Sequence, residues 1–136
     1  MKSLDEIRAL FARDLFAAEH GITIDEVTQE RTVCSVAVRP RHMNAMGRIQ
    51  GGLVFTLADF AFAVATNHDL LDTVTLNSTI HFVSAPRGGR LTATAVRCHD
   101  GRSIGLYDID VTDDQNRLVA RVSSTSYRKQ AAANRP

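Results

Sequence analysis

Residues His42 to Thr66 read HMNAMGRIQGGLVFTLADFAFAVAT, and the fold turns on how this stretch is taken. It divides in two. From His42 to Gly52 it is polar and holds three glycines, which argues against regular helix. From Leu53 to Ala65 it is apolar at nearly every position, so a helix built from it has no polar face. Such a helix is either buried or spans a bilayer, and this run is shorter than the ~20 residues a span needs. The expectation is a core helix, covered on all its faces by a curved antiparallel sheet. One ionisable side chain, Asp59, interrupts it. A carboxylate among apolar side chains is costly unless paired, hydrogen-bonded or protonated. Asp59 is therefore either a reactive group or the partner of a structural hydrogen bond.

Gly51 and Gly52 stand where this helix begins. Their backbone N–H groups have no partner inside the helix, and the positive end of its dipole lies behind them. Such a place binds anions or a developing oxyanion. The alternative use of paired glycines is a tight entry turn or close packing of helix on sheet.

Taken together, Asn44-x-x-Gly47-x-x-Gln50-Gly51-Gly52 followed by Leu57-Ala58-Asp59 resembles the hotdog-fold acyl-CoA thioesterases. The nearest branch is the phenylacetate-degradation type of the 4-hydroxybenzoyl-CoA thioesterase superfamily, and the resemblance runs from about Ile22 to Arg128. It implies an α+β hotdog fold, in which about six antiparallel strands wrap one long helix, with sites at a dimer interface. It implies that Asp59 attacks the thioester carbonyl or activates a water, and that the Gly51 N–H holds the oxyanion. Asn44 would orient the carbonyl or the water, and Thr75 matches a family Ser/Thr that holds the water. The family commonly has His before its glycine pair. Here Gln50 takes that place, and Gln hydrogen-bonds without titrating. Coenzyme A arrives as part of the substrate and no separate cofactor is expected. Its phosphates would meet Arg87, Arg90 and Arg102, which flank turns. Gly52 and the helix aromatics Phe55, Phe60 and Phe62 would line the acyl end.

The rest of the chain fits one domain of this kind. Ser3 to Ala18 reads as one amphipathic helix, with Ser3 and Glu6 as a capping box and an apolar stripe through Leu4, Ile7, Leu10, Phe11, Leu15 and Phe16. Strands are predicted at Ile22–Thr28, Thr32–Arg39, Thr73–Val83, Arg90–His99, Arg102–Thr112 and Leu118–Arg128, the last four as a consecutive meander. In the Thr73–Val83 strand, alternation sets Val74, Leu76, Ser78, Ile80 and Phe82 on one face and Thr75, Asn77, Thr79 and His81 on the other. The chain divides into an N-terminal helix over 1–20, the hotdog domain over 21–129 and a flexible tail over 130–136.

Composition bounds the function. The 136 residues carry a net charge of +1 with no long basic run, which argues against nucleic acid as a partner. No leader and no membrane span is read, so the expected location is the cytoplasm. Cys34 and Cys98 lie in strand-like runs without CxxC spacing and are expected to be core thiols. The five histidines show no HExxH or paired-ligand spacing, and no metal is expected; His42, Asn77 and His81 are read as structural.

Spacing adds one more constraint. Gly51 and Asp59 are eight residues apart, or ~12 Å along one helix at ~1.5 Å per residue. A nucleophile or base and an oxyanion donor must both come within about 3 Å of one carbonyl. Two antiparallel helices from two subunits achieve this twice, by two-fold symmetry. The expectation is a homodimer with two composite sites, paired further into a dimer of dimers. Two other readings stand beside hydrolysis. A hotdog dehydratase or hydratase needs a His with an acid at the helix, and Gln50 sits where that His would be. A non-catalytic acyl-CoA-binding protein would keep the pocket without needing Asp59.

Overall fold

The computed structural model describes residues 1–129, so the expected flexible tail over 130–136 lies outside the described residues. Its elements are α1 (Leu4–Phe11), α2 (Leu15–Glu19), β1 (Thr23–Val27), β2 (Arg31–Ala37), α3 (Gly51–Asn67), β3 (Thr73–Phe82), β4 (Arg90–Asp100), β5 (Ile104–Thr112) and β6 (Leu118–Arg128). The strands form one six-stranded sheet in the order β1-β2-β4-β5-β6-β3, and every pairing is antiparallel. The hotdog architecture expected from the sequence is present, a curved sheet with α3 lying along it.

The four-strand meander is corrected to three. β3 pairs with β6 at the far edge, and β2 takes the place beside β4. The link after β3 runs from Val83 to Gly89. It can extend about 20 Å, enough to cross the three strand spacings, ~14 Å in all, that separate β3 from β4. The β3 strand is therefore left with one long unpaired edge, where Val74, Leu76 and Phe82 are exposed.

The core lies between α3 and the concave face of the sheet. Leu57, Ala58, Ala61, Phe62 and Val64 of α3 are fully buried against Cys34, Val36, Leu91, Ala93, Ile109, Val111 and Val122. Truncating such a side chain, as in Leu57→Ala, costs about 2–5 kcal/mol because the cavity relaxes only in part. The covering is not complete, however. Gly52, Thr56, Asp59, Ala63 and Thr66 recur at spacings of three and four and form a stripe that remains open or half-open. Small and polar side chains on this stripe leave it little apolar area to bury, so the sheet does not close over it.

The N-terminal segment is two helices, not one. The Ser3–Glu6 capping box forms as expected. Asp14 then interrupts the run, because its Oδ1 accepts the Ala17 N–H at 3.0 Å and starts α2 afresh. The turn between them takes Leu15 and Phe16 out of the buried stripe, and they are 69% and 63% exposed. Ile7 and Ala17 are buried, and the Phe11 ring meets Phe60 edge-on at 5.8 Å.

Cys34 is a buried core thiol, but Cys98 is exposed, against expectation. Alternation along β4 buries Leu91, Ala93 and Ala95 and sets Cys98 on the other, outward face with Thr94 and Val96. Burial, helped by the Asp25 charge, pushes the Cys34 thiol up, so it stays protonated and unreactive.

Candidate active site

The loop before α3 is built by Asn44. Its Oδ1 accepts the N–H groups of Met46 at 2.9 Å and Arg48 at 3.1 Å, while its own N–H donates to the Arg48 carbonyl at 2.7 Å. Gly47 completes the turn at φ 71°, where an L side chain would be strained. With the oxygen of Asn44 committed to the loop, the group left for a ligand is the Nδ2 donor.

His42 holds the loop from beneath. It is 2% exposed, and its Nδ1 accepts the Arg39 N–H at 2.9 Å. Its carbonyl receives the Gln50 N–H at 2.9 Å. Burial, with the neighbouring Arg41 charge, lowers the His42 pKa and keeps the ring neutral. The structural role read for His42 fits this packing.

Gln50 caps α3. Its side-chain oxygen accepts the Gly52 N–H, and the Gln50 carbonyl accepts the Leu53 N–H. The expectation of two open amides at the glycine pair is thereby halved, since the cap occupies Gly52. The Gly51 N–H makes no hydrogen bond among the described residues. It stands free at the first turn of a 17-residue helix, at the positive end of the dipole. A Cβ at Gly51 would come within 3.2 Å of the Phe82 ring, so β3 walls this corner.

Asp59 lies two turns further along, on the open stripe of α3. The expectation of an acid lodged among apolar side chains is corrected, because Asp59 is exposed in the protomer. Enough of the molecule still surrounds it that desolvation raises its carboxyl above the ordinary aspartate range, and the Asp14 charge raises it further. Sequence reasoning missed Asp14. The signal was there: an Asp immediately before Leu15-Phe16-Ala17-Ala18 is a helix-start pattern inside what read as one helix.

Thr75 faces the opposite way from the sequence reading. β3 pairs Thr75 with Ser126 and Asn77 with Thr125, so Leu76 is a bulged extra residue. Ser126, Ser124 and Val122 are the buried positions of β6. Thr75 therefore lies on the concave, helix-facing side together with Ser78, Ile80 and Phe82, while Val74 opposite Tyr127 turns to the convex side.

The three arginines do not gather within one protomer. Arg87 and Arg90 lie at the end of the sheet beside the N-terminus of α3, and Arg102 lies in the β4–β5 hairpin at the opposite end. The Arg90 guanidinium donates to the Ser35 hydroxyl. Sequence reasoning missed Arg48, which shares a surface hollow with Asn44, Gly51, Phe82 and Pro86. Of the helix aromatics, Phe62 is plain core against Tyr107, Phe55 is half-buried, and Phe60 walls a cavity under α1 and α2.

Among the described residues no three His, Cys, Asp or Glu side chains are grouped to hold a metal ion, and no helix is long and apolar enough to cross a membrane.

Comparison with known proteins gives one consistent result. Residues 46–120 match the sequence profile of the thioesterase superfamily. The acyl-coenzyme A thioesterase PaaI of Escherichia coli is 34% identical over 128 residues, covering 93% of this chain and 91% of that protein. A solved structure of the E. coli PaaI protein, from the phenylacetic acid degradation operon, superposes with a TM-score of 0.77 at 31% identity and covers 93% of this chain and 96% of that one. A thioesterase from Haemophilus influenzae superposes with a TM-score of 0.84 at 23% identity, covering 93% and 90%, and shows the fold alone.

Proposed function

The chain belongs to the thioesterase superfamily and is a hydrolase of thioester bonds, and on that premise we propose that it splits aromatic or medium-chain acyl-CoA at two equivalent sites across a homodimer. The observation that carries this reading is the placement of two groups on one rigid helix. The Gly51 N–H is open at the start of α3, and Asp59 stands on its open stripe ~12 Å away. Neither can serve the other on the same carbonyl. A second α3, antiparallel to the first, supplies the missing half of each site. The free edge of β3 favours this arrangement, because a ten-residue edge with exposed apolar side chains is a ready seam for a second copy.

Hydrolysis then runs as follows. The thioester carbonyl lies against the Gly51 N–H of one protomer, with the Asn44 Nδ2 and Gln50 Nε2 donors nearby to orient it. Asp59 of the partner takes a proton from a water, and the water oxygen bonds to the carbonyl carbon. The charge that develops on the carbonyl oxygen is held by the Gly51 N–H and the helix dipole. The C–S bond breaks, the proton passes to the sulfur, and free acid and coenzyme A leave. The raised proton affinity of Asp59 suits a general base better than a direct nucleophile. Thr75, on the helix-facing side of β3 through the bulge, would hold the water. Arg87 and Arg48 are the phosphate contacts at the Gly51 end, and Arg90 backs them through Ser35. Arg102 reaches coenzyme A only from the partner protomer. Gly52 contributes by fixing the cap. Dimers pair further into a dimer of dimers, working in the cytoplasm.

The test is release of free thiol from acyl-CoA. Asp59→Asn is expected to abolish it while leaving the fold and the oligomer intact, since the side chain is exposed in the protomer. Enoyl-CoA hydration without thiol release would replace this reading with a hydratase.

A further inference from the structure

Where α3 ends, the protomer has a polar hollow of about 240 Å3 between the β1–β2 turn, the residues that follow α3, and β4, β5 and β6. Asn44, Gln50, Gly51 and Asp59 take no part in its wall. Arg97, Asp100, Tyr107 and Arg128 do, and their partners do not balance. Asp100 is the one acid of the four. Its Oδ1 accepts from Arg128 Nη2 at 3.2 Å, and its Oδ2 lies 3.4 Å from Arg97 Nη1. One carboxylate thus faces two guanidinium groups. Arg128 Nη1 is buried and has no hydrogen-bond partner among the described residues. A buried donor left in that state is unfavourable and calls for a partner. Tyr107 is 6% exposed, with its ring edge-on to Phe62 at 5.4 Å. Burial raises its hydroxyl above the ordinary phenol range while Arg97, Asp100 and Arg128 flank it, so it stays protonated and able to donate.

The other charges around the hollow are committed elsewhere. Glu26 holds Arg31 through Nε at 3.0 Å and Nη2 at 3.1 Å, and Glu30 lies beside the same guanidinium. Asp72 accepts the Thr73 hydroxyl at 2.8 Å, and Asp69 pairs with His68 Nε2 at 3.4 Å. His68 Nδ1 covers the carbonyls of Val64 and Ala65 at 3.2 and 3.1 Å, which caps the negative end of α3. One surplus positive charge and its donors remain inside.

We propose that this hollow binds a small oxyanion, a carboxylate or a phosphate, between Arg97, Tyr107 and Arg128, at a site separate from the catalytic corner. Guanidinium groups suit both anions, through short charge-assisted bonds. Asp100 competes for the same cations and so holds the affinity down. The bound anion ties β4, β5 and β6 together beside the end of α3. The proposal does not depend on the acyl-CoA chemistry.

Calorimetric titration of the full chain with inorganic phosphate, and separately with acetate, tests it in a zwitterionic buffer at fixed ionic strength. Saturable binding of at least one anion is expected, and the better binder identifies the class. Arg128→Gln should weaken it about tenfold or more, by the usual worth of a hydrogen bond to a charged group. Tyr107→Phe keeps the buried ring and should weaken binding several-fold, with thiol release from acyl-CoA unchanged. Asp100→Asn removes the competing carboxylate and should tighten binding, which a cluster serving only the fold would not do. No saturable binding of either anion to the wild type overturns the proposal. So does an affinity that neither Arg128→Gln nor Tyr107→Phe changes. Displacement of the anion by coenzyme A would make the hollow part of the substrate site and overturn its separateness.

Discussion

The side-chain oxygen of Gln50 accepts the N–H of Gly52, two residues on, and so leaves Gly51 as the one open amide at the head of α3. A residue that stands where relatives commonly carry His is here a helix cap with a spare amide donor. That division of labour fixes what each substitution at this corner should do.

Gly51→Pro removes the open N–H and little else. Proline is tolerated at the first position of a helix, and Gln50, at φ −66° and ψ 130°, already has the extended backbone a following proline requires. The Phe82 ring must give by a few tenths of an ångström. We expect kcat to fall about 10²–10³-fold, the cost of one oxyanion donor, with Tm nearly unchanged. Gln50→Glu should separate cap from catalysis. The carboxylate still accepts the Gly52 N–H and suits the helix dipole, so Tm holds or rises, while its charge beside the oxyanion lowers kcat.

Mixing two inactive variants tests whether each site draws on two chains. In a heterodimer of Asp59→Asn with Gly51→Pro, one site carries both defects and the other carries none. Half of the dimers in an equal, re-equilibrated mixture are heterodimers, so about a quarter of wild-type activity should return. Sites contained within single chains would recover nothing.

Burial first, and the Asp14 charge second, raise the Asp59 carboxyl. In the proposed mechanism its ionised form is the reactive one, so activity should rise with pH through a midpoint above the ordinary aspartate value of about 3.9. Asp14→Asn removes the charge but keeps the cap, because Asn caps as well as Asp. The acid limb of kcat/KM should move to lower pH while the melting curve stays put. The sign also bears on stability. A raised carboxyl is disfavoured when ionised in the folded state, so Asp59→Asn should gain stability over wild type as pH rises through that midpoint.

Asp113 behaves in the opposite sense. Burial alone pushes its carboxyl up, but the N–H groups of Arg87, Arg117 and Gln115 and the Arg117 guanidinium outweigh it and hold it at about 2. The carboxylate ties the link after β3 to the β5–β6 turn. Its contribution is complete above the unfolded value near pH 4 and is lost as pH falls through about 2. Denaturant midpoints measured from pH 5 down to pH 2 should decline in wild type and decline less steeply in Asp113→Asn.

The sequence made the central helix, the hairpins and the glycine corner legible because each rests on local signals. An unbroken apolar run, Asp100-Gly101 and a glycine pair before Leu53 need no tertiary context to be read. Five features were not legible, each for a physical reason. Strand order was lost because the Val83–Gly89 link is equally compatible with a hairpin and a crossing. The inward turn of Thr75 was lost because it follows from a bulge, which changes side-chain parity without any signal in composition. Cys98 was misplaced because its residue type was read over the outward face that alternation with Thr94 and Val96 gives it. The place of Asp59 was misjudged because periodicity shows which residues share a helix face, not whether the sheet closes over that face. Asp14 was overlooked because a helix start inside an apparent helix looks like a charged position on a surface.

The bulge at Leu76 carries a consequence for the whole strand. One surplus residue lets β3 keep two incompatible alignments at once: downstream of it Ile80 packs against the core, and upstream the hydroxyl of Thr75 is delivered to the same side. Were Leu76 instead accommodated in a regular strand without the bulge, Thr75 would present its hydroxyl to the opposite side, so here irregularity in the backbone is the means by which a polar group is aimed.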